Sequence, residues 1–425
     1  MNYTRMSNEE LIREKQALQN SYNEILGAKL SLDMSRGKPE KLQLDLSKEM
    51  LTVIDGNEAC FSENGTDCRN YGIVDGIGEA KKLFGDILGV SPDNVIVGGN
   101  SSLNLMFDHL SRCMLFGVPG GNGPWCKNSK NKFLCPVPGY DRHFAVCETL
   151  GIEMINVPMT QNGPDMDIVE ELVKDPDVRG IWCVPKFSNP DGTVYSDDTV
   201  RRFAKLEPAS PDFIIMWDNA YCIHEIYEEE HPLLNIIDEC AKAGNPDRAY
   251  VFTSTSKVTF PGAGVAAVAS SVSNIKNILN VMKFQTIGHD KLNMLRHIKY
   301  FGNADGMRAY MKKHAEIMRP KFDMVLDTLS ANLNDSGIAT WSNPRGGYFV
   351  SLDVLEGCAK RTAKLCADAG VVLTGAGATF PYGIDPRDTN IRIAPSFASL
   401  ADLETAMKVL CICAKLAAVE KLIKE

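Results

Sequence analysis

Residues 249–264 read AYVFTSTSKVTFPGAG. An apolar run opens this stretch, small hydroxyl residues precede Lys257, and a glycine-rich turn follows it. The pattern predicts a buried strand that holds Lys257 at its carboxyl end, close to a candidate anion site. A desolvated lysine loses its proton more easily and can form an imine with a carbonyl compound. Taken alone, a lysine after serine and threonine is more often a solvated loop end, so the interpretation depends on its partners along the chain.

Two further stretches predict strand ends that carry polar side chains. Residues 213–221, FIIMWDNAY, form a hydrophobic run that reaches Asp218, and Tyr221 follows three residues later. Such a run is typical of a buried parallel strand, and open α/β sheets bind ligands at the carboxyl ends of their strands. Residues 180–192, GIWCVPKFSNPDG, place Asn189 in a turn after another strand-like run, although an ordinary turn asparagine is the alternative.

A lysine, a carboxylate, a phenol and an amide at the strand ends of one sheet suit pyridoxal phosphate. Lys257 can form the imine, and Asp218 can pair with the pyridine nitrogen and keep it protonated, so that the ring accepts electrons. Tyr221 and Asn189 can donate hydrogen bonds to the phenolic oxygen of the ring. Arg392 follows these residues along the chain. This order resembles the fold type I aminotransferases related to aspartate aminotransferase, and the resemblance covers nearly the whole chain.

The resemblance implies a site for the cofactor phosphate. Residues 98–102, GGNSS, follow a strand-like run and precede a helix-like one, and the N-terminus of a helix attracts anions. In the family this turn holds the phosphate, which assigns that role to Asn100, Ser101 and Ser102, together with Ser254. A helix-capping serine without a ligand is the alternative for this segment.

Other residues gain expected roles from the same resemblance. Tyr140 takes the position whose ring stacks on the pyridine, and Tyr71 takes the position that reaches the cofactor phosphate of a partner subunit, which makes the active unit a homodimer. Arg392 would hold the α-carboxylate of the substrate with its guanidinium fork. Gly37 would lie over the substrate, and Asn189 would contact substrate as well as cofactor. Without the resemblance, Tyr140 is a packed turn residue, Tyr71 a loop tyrosine and Arg392 a solvent-facing strand residue.

One departure from the family concerns the phosphate. Most relatives carry an arginine shortly after the lysine, in a Gly-x-Arg pattern, whereas the corresponding position here is Gly264. We therefore expect backbone amides, Ser101, Ser254 and the partner subunit's Tyr71 to contribute more to phosphate binding. Arg69 is a candidate for the missing charge.

Three segments resemble a divergent subgroup called class Ic, namely residues 36–39, 69–72 and 285–292. Aspartate aminotransferase activity is the expected role of that subgroup. The reaction would move an amino group between an L-amino acid, aspartate or glutamate, and a 2-oxo acid such as 2-oxoglutarate. A dicarboxylic substrate needs a second cation, since an unpaired buried charge is costly. Lys38, Lys291 and Arg296 are the candidates, and solvated surface cations are the alternative.

The residues leave other functions of the same fold open. Aminotransferases for alanine or aromatic amino acids are nearest, because changes around the pocket set the choice of side chain. A lyase of the same fold, such as a C–S lyase, would use a similar cofactor site. A cofactor-sensing regulator would need a DNA-binding module, and the roughly thirty residues before Arg36 are too short and too acidic for a winged helix.

Composition agrees with a cytoplasmic enzyme that acts on small molecules. A formal net charge of −9 without a basic block argues against nucleic acids and anionic membranes as partners. The thirteen cysteines are scattered and form no Cys-x-x-Cys pair, which predicts reduced core thiols rather than disulfides or a metal site. The N-terminal residues contain no apolar run that suits a signal peptide or a membrane span.

We predict an α/β fold with two domains from the 425 residues, of which 44% are hydrophobic. Strand-like and helix-like runs alternate in the middle of the chain, which predicts a large cofactor-binding domain over residues 51–301. The resemblance implies a mainly parallel, seven-stranded sheet in this domain. Residues 1–50 and 302–425 would form a smaller α+β domain, with a polar helix over residues 8–26.

Overall fold

The computed structural model describes residues 2–55 and 60–423 as a chain of alternating helices and strands. The helices within these ranges are α1 (Asn8–Gly27), α2 (Lys41–Leu46), α3 (Gly78–Leu88), α4 (Ser102–Phe116), α5 (Asp141–Thr149), α6 (Met166–Leu172), α7 (Asp197–Lys205), α8 (Ile236–Lys242), α9 (Val272–Gln285), α10 (Lys291–Phe301), α11 (Ala304–Leu333), α12 (Ala359–Asp368) and α13 (Leu400–Leu422). The strands are β1 (Leu32–Met34), β2 (Val95–Val97), β3 (Lys132–Val137), β4 (Glu153–Thr160), β5 (Gly163–Pro164), β6 (Val178–Cys183), β7 (Ile214–Asp218), β8 (Ala249–Ser254), β9 (Ala266–Ala269), β10 (Ala339–Trp341), β11 (Val350–Val354), β12 (Val371–Leu373) and β13 (Asn390–Ile393).

A large mixed sheet occupies the middle of the molecule. Within the described ranges it has eight strands in the order β2-β9-β8-β7-β6-β3-β4-β5. The pairs from β8 through β7, β6 and β3 to β4 are parallel, whereas β9 runs antiparallel to both β2 and β8. The predicted α/β fold with a mainly parallel sheet is confirmed. The expected seven strands become eight because the two-residue strand β5 folds back on β4 as an antiparallel hairpin.

The central strands β6, β7 and β8 are buried along their whole length. Their nearly continuous apolar sequences are what a parallel sheet needs when helices cover both of its faces. Helices α3, α6, α7, α8 and α10 contribute to the core on one face, and α4, α5 and α9 contribute to the core on the other. The carboxyl ends of these three parallel strands therefore lie at one edge of the sheet, where Asp218 ends β7 and where Asn189 and Lys257 follow β6 and β8.

A second core lies among α1, α12, α13, the second half of α11 and two small sheets. Strands β10, β11 and β13 form an antiparallel sheet, and β1 pairs in parallel with β12. The first half of α11 packs elsewhere, because Met307 and Met311 join Leu83 and Ile223 in a separate cluster. The division of the chain at residues 51 and 302 stays a prediction, and α11 contributes to both regions.

Local signals place the first helix where the sequence predicts it. The predicted span of residues 8–26 compares with Asn8–Gly27 in the structure. Ser7 accepts a hydrogen bond from the backbone of Glu10, and the Glu10 side chain accepts one from the backbone of Ser7. This reciprocal capping satisfies backbone donors that the first helical turn leaves free. No helix in residues 2–55 and 60–423 is long and apolar enough to cross a membrane.

Candidate active site

Lys257 lies in a tight turn after β8. The backbone amides of Val258 and Thr259 both donate to the carbonyl oxygen of Thr255, at 2.9 Å each. The Thr255 hydroxyl accepts from the backbone of Val265 at 2.9 Å and so ties the turn to the next strand. Burial lowers the pKa of the Lys257 amine from its ordinary value. A lowered pKa favours the neutral amine that reacts with a carbonyl carbon.

Asp218 ends β7 as a deeply buried carboxylate, 3% exposed. Its Oδ2 lies 3.0 Å from Nε2 of His143, whose ring stacks on Trp182 with the centroids 4.1 Å apart. Its Oδ1 is buried without a hydrogen-bond partner among the described residues. Buried polar atoms are rarely left unsatisfied in folded proteins. The free oxygen therefore marks a place for a donor on a bound molecule.

Arg392 lies on β13 and is 7% exposed. One terminal nitrogen, Nη1, donates to Asp141 Oδ1 at 2.9 Å and to Asn189 Oδ1 at 3.2 Å. The guanidinium carbon lies 4.8 Å from the centroid of the Phe349 ring. The Nε atom is buried and has no partner within the described ranges. The guanidinium is thus held from one side and keeps a donor for a carboxylate.

These groups meet in a cavity of about 420 Å³. Seven of the candidate residues named from the sequence line it, namely Gly37, Lys38, Tyr140, Asn189, Tyr221, Lys257 and Arg392. The Nζ atom of Lys257 lies 4.9 Å from the centroid of the Tyr221 ring. A Cβ atom on Gly37 would lie 2.5 Å from the Phe349 ring, so only a glycine brings the backbone this close to the cavity wall. Asp218 completes the group, since its charge acts on the Lys257 amine and opposes the lowering of that pKa.

The turn predicted to hold the phosphate meets the lysine turn through hydroxyl groups. Ser256 Oγ donates to the carbonyl oxygen of Asn100 at 2.8 Å, and Ser254 Oγ donates to Ser256 Oγ at 3.1 Å. Ser101 caps α4, since its Oγ accepts from the backbone of Asn104. Ser102 is buried in the first turn of the same helix. Two turns rich in hydroxyls at a helix N-terminus suit an anion.

Tyr71 and Lys291 are among the predicted residues that do not line the cavity around Lys257. Tyr71 is 81% exposed and does not line the cavity around Lys257. Lys291 is 3% exposed, and its Nζ donates to the carbonyl oxygen of Gly72 at 2.9 Å. The expected contacts of both residues with cofactor or substrate stay predictions.

Several residues of the site were not anticipated from the sequence. Asp141 lines the cavity and contacts Arg392, while His143 lies behind the lining and contacts Asp218; both belong to α5, which begins directly after Tyr140. A histidine three residues after Tyr140 lies on the same side of that helix, which is the signal that could have indicated it. The cavity wall also includes Arg36, Arg142 and Phe349, for which no comparable local signal exists.

The arrangement fits pyridoxal phosphate on three independent points. The Lys257 amine, with its lowered pKa, faces the cavity. The unsatisfied oxygen of Asp218 can accept from a protonated pyridine nitrogen. The turns around Ser101 and Ser256 meet at the N-terminus of α4, whose backbone amides can donate to a phosphate.

Comparison with known proteins identifies the family. The profile of the family described as aspartate amino-transferase matches residues 6–425. The aspartate aminotransferase of Corynebacterium glutamicum is 45% identical over 403 residues, which is 95% of this chain and 93% of that protein.

Solved structures agree with this match. A crystal structure of an aspartate transaminase from Corynebacterium glutamicum has a TM-score of 0.97 at 43% identity and covers 99% of both chains. An α-aminoadipate aminotransferase from Thermus thermophilus, solved with N-(5'-phosphopyridoxyl)-L-leucine, shares the fold with a TM-score of 0.74 at 18% identity, over 98% of this chain and 96% of that one. The chain therefore belongs to the aspartate aminotransferase family, whose members are aminotransferases of fold type I with pyridoxal phosphate as cofactor.

Proposed function

We propose that this aminotransferase acts on dicarboxylic amino acids, with aspartate and glutamate as its amino donors and 2-oxoglutarate as an acceptor. The observation that carries the proposal is the distribution of positive charge in the cavity of Lys257. Among the described residues, four cations line the cavity. Arg392 is buried, whereas Arg36, Lys38 and Arg142 are exposed. A buried arginine together with further cations on the same lining matches a substrate that carries two carboxylates.

The acidic residue in the cavity does not cancel this charge. Asp141 pairs with the buried Arg392 at 2.9 Å, and its other oxygen lies 4.0 Å from Nε of Arg142. The carboxylate of Asp141 is therefore already paired with Arg392, and three exposed cations share the lining with it. The distal-carboxylate candidate Lys38 lines this cavity with its ammonium 3.9 Å from the ring centroid of Phe397, whereas Lys291 and Arg296 do not line it.

The proposed mechanism assigns one task to each buried side chain. When bound, pyridoxal phosphate supplies an electron sink for bond changes at the substrate Cα. Lys257 would hold the cofactor, and its amine, once free, would take the proton from the substrate Cα as a general base. Asp218 keeps the pyridine nitrogen protonated, and His143 fixes the carboxylate through the 3.0 Å contact. Arg392 holds the substrate α-carboxylate, so that the Cα proton faces Lys257.

Tyr221, Asn189 and Tyr140 complete the proposed cofactor site. Burial raises the pKa of the Tyr221 hydroxyl well above its ordinary value, so that it stays a hydrogen-bond donor. Asn189 accepts from Arg392 through Oδ1, which leaves its amide nitrogen for the phenolic oxygen of the ring. Tyr140 lies at the start of α5 with its ring 4.9 Å from that of His143, where it can cover one face of the pyridine.

A substrate panel tests the choice of amino acid. Purified protein with pyridoxal phosphate is mixed with aspartate, glutamate, alanine, phenylalanine or a cysteine conjugate, and the absorbance change on amino transfer is recorded. We expect aspartate and glutamate to react at the lowest concentrations. Alanine or phenylalanine reacting better would refute the substrate proposal, and release of ammonia and pyruvate from the conjugate would identify a lyase.

Two substitutions test whether Lys257 and Arg142 have the roles proposed for them in the cavity. Lys257→Ala should remove both the absorbance band of the lysine-bound cofactor and turnover. Arg142→Gln should raise the KM for aspartate about threefold to tenfold, as expected for an exposed charge contact, and leave the KM for alanine unchanged. An equal effect on both amino acids would show that Arg142 does not contact the distal carboxylate.

The homodimer also belongs to this proposal. Tyr71 projects from the single chain without reaching the cavity, as a residue that serves a second subunit would. A cytoplasmic location stays a prediction from the sequence.

A further inference from the structure

The turn after Lys257 has no room for a side chain at position 264. A Cβ atom on Gly264 would lie 2.8 Å from the carbonyl oxygen of Asn100 and 3.1 Å from Ser256 Oγ. The glycine thus allows the close approach in which Ser256 donates to Asn100. An arginine at this position would force the two turns apart, so the positive charge for a phosphate dianion has to come from another element.

Helix α10 faces the same turn across a second cavity of about 270 Å³. Asn100 and Gly264 line this cavity on one side, and Asn293 and Arg296 line it on the other. The side-chain amide of Asn293 donates to the carbonyl oxygens of Ala263 at 3.0 Å and Gly264 at 2.9 Å. These two bonds fasten α10 directly to the turn that lacks the arginine.

The guanidinium of Arg296 is held at one end and unsatisfied at the other. Its Nη2 donates to Oδ1 of the same Asn293 that binds the turn. Its Nε atom is buried and has no hydrogen-bond partner in the part of the chain that the structure describes. A buried N–H without an acceptor is unfavourable. The second cavity therefore contains a cation that needs an acceptor.

Neither His289 nor Asp290, the other titratable side chains on this cavity, forms an ion pair with Arg296 among the described residues. Burial lowers the pKa of His289 from its ordinary value of 6.5, so its ring is neutral at pH 7. Asp290 caps α10, and its Oδ1 accepts from the backbone of Asn293 at 2.9 Å.

Two other cations that the sequence suggested for the site have partners of their own. Arg69, the substitute suggested by the sequence, binds Asp67 through two parallel bonds of 2.8 and 2.9 Å. Lys291 donates to the carbonyl oxygen of Gly72. Arg296 differs from both, since it lines the cavity beside Gly264 and keeps a buried donor free.

We propose that Arg296 binds the cofactor phosphate in place of the arginine that position 264 cannot carry. The planar guanidinium can offer two parallel N–H donors to phosphate oxygens. The inference rests on the proposed place of the phosphate at residues 98–102 and is independent of which amino acid reacts.

The test compares pyridoxal phosphate with pyridoxal, which lacks the phosphate. Each compound is titrated into cofactor-free protein, and the absorbance of the lysine-bound ring gives the Kd. Arg296→Gln should weaken the binding of pyridoxal phosphate about tenfold to a hundredfold, the range for charge-assisted hydrogen bonds. The same variant should bind pyridoxal as the wild type does. Arg296→Lys keeps the charge but loses the planar fork of donors. Its Kd for pyridoxal phosphate should lie between those of the wild type and Arg296→Gln.

An exposed arginine provides the matched control. Arg308→Gln on α11 makes the same charge change at an exposed position and should bind both compounds normally. Wild-type affinity of Arg296→Gln for pyridoxal phosphate, or an equal loss for both compounds, overturns the proposal. Thermal unfolding of each variant checks the fold, and Arg296→Lys replaces the glutamine variant if that one does not fold. If the wild type gives no lysine-bound band with either compound, the assignment of Lys257 fails as well.

Discussion

At the residue scale, the burial of Lys257 lowers the stability of the fold and favours the reactive, neutral amine. Burial lowers the pKa of this amine from its ordinary value of 10.5 in the folded, cofactor-free protein. The unfolded chain keeps the ordinary pKa, so it binds more protons than the folded chain between the two values. The free energy of unfolding should therefore rise with pH through that window. Below the window both states are protonated, and the full cost of burying the charge remains.

Lys257→Met should consequently stabilise the cofactor-free protein. We expect a higher melting temperature than the wild type at pH 7, and a difference that shrinks as the pH approaches 10.5. Thermal unfolding of both proteins between pH 7 and pH 10 measures this. Lys276→Met, at an exposed position of α9, should show no such trend. A difference that grows with pH would contradict the linkage argument.

At the element scale, the junction between β3 and α5 positions three side chains of the site. Gly139 lies in this junction, and its amide donates to the carbonyl oxygen of Thr379 at 2.8 Å. Tyr140, Asp141 and His143 follow it at the start of α5. A shift of this junction would move three groups together, namely the ring expected to cover the cofactor, the partner of Arg392 and the partner of Asp218.

Gly139→Ala tests the importance of this junction. The added Cβ would lie 2.4 Å from the carbonyl oxygen of Pro136, and backbone atoms cannot yield as a flexible side chain does. We expect a loss of about 1–3 kcal/mol in the free energy of unfolding, as for other overpacked sites, and weaker cofactor binding. Denaturant unfolding and cofactor titration measure the two effects. Gly27→Ala is the control, since nothing lies within 4 Å of its Cβ position, and unchanged behaviour of Gly139→Ala would contradict the expectation.

At the scale of the whole molecule, the proposed dimer makes a prediction about mixed subunits. Lys257→Ala lacks the lysine of its own cavity, and Tyr71→Ala lacks the tyrosine expected to serve the partner. A dimer that contains one subunit of each kind has one intact site only if Tyr71 acts across the interface. Unfolding and refolding an equal mixture should then restore about a quarter of wild-type activity, because half of the dimers are mixed and half of their sites are intact.

A second mixture shows whether recovery of activity requires a residue that acts across the interface. Lys257 and Arg392 line one cavity of the same chain, so a mixture of Lys257→Ala with Arg392→Ala should recover no activity. Recovery in the second mixture, or none in the first, would contradict the shared site. Size-exclusion chromatography of each mixture confirms that dimers have formed.

The sequence by itself determined the candidate residues for the chemistry and their order along the chain. Lys257, Asp218 and Asn189 follow strands whose apolar runs are readable locally, and parallel strands necessarily present their carboxyl ends at one edge. The first helix was predictable for a similar reason, since Ser7 and Glu10 cap it within four residues. The two-residue strand β5 was not, because nothing in so short a segment distinguishes a strand from a turn.

Only the tertiary structure decided which side chains assist these residues. His143 reaches Asp218 across 75 residues, and Asp141 reaches Arg392 across 251. The tertiary structure also distinguishes the three candidate cations. Lys38 lines the cavity of Lys257, Lys291 donates to a backbone carbonyl oxygen, and Arg296 lies beside Gly264. The physical reason is that a local pattern records propensity and burial, whereas a partner is set by distances between segments that meet only when the chain has folded.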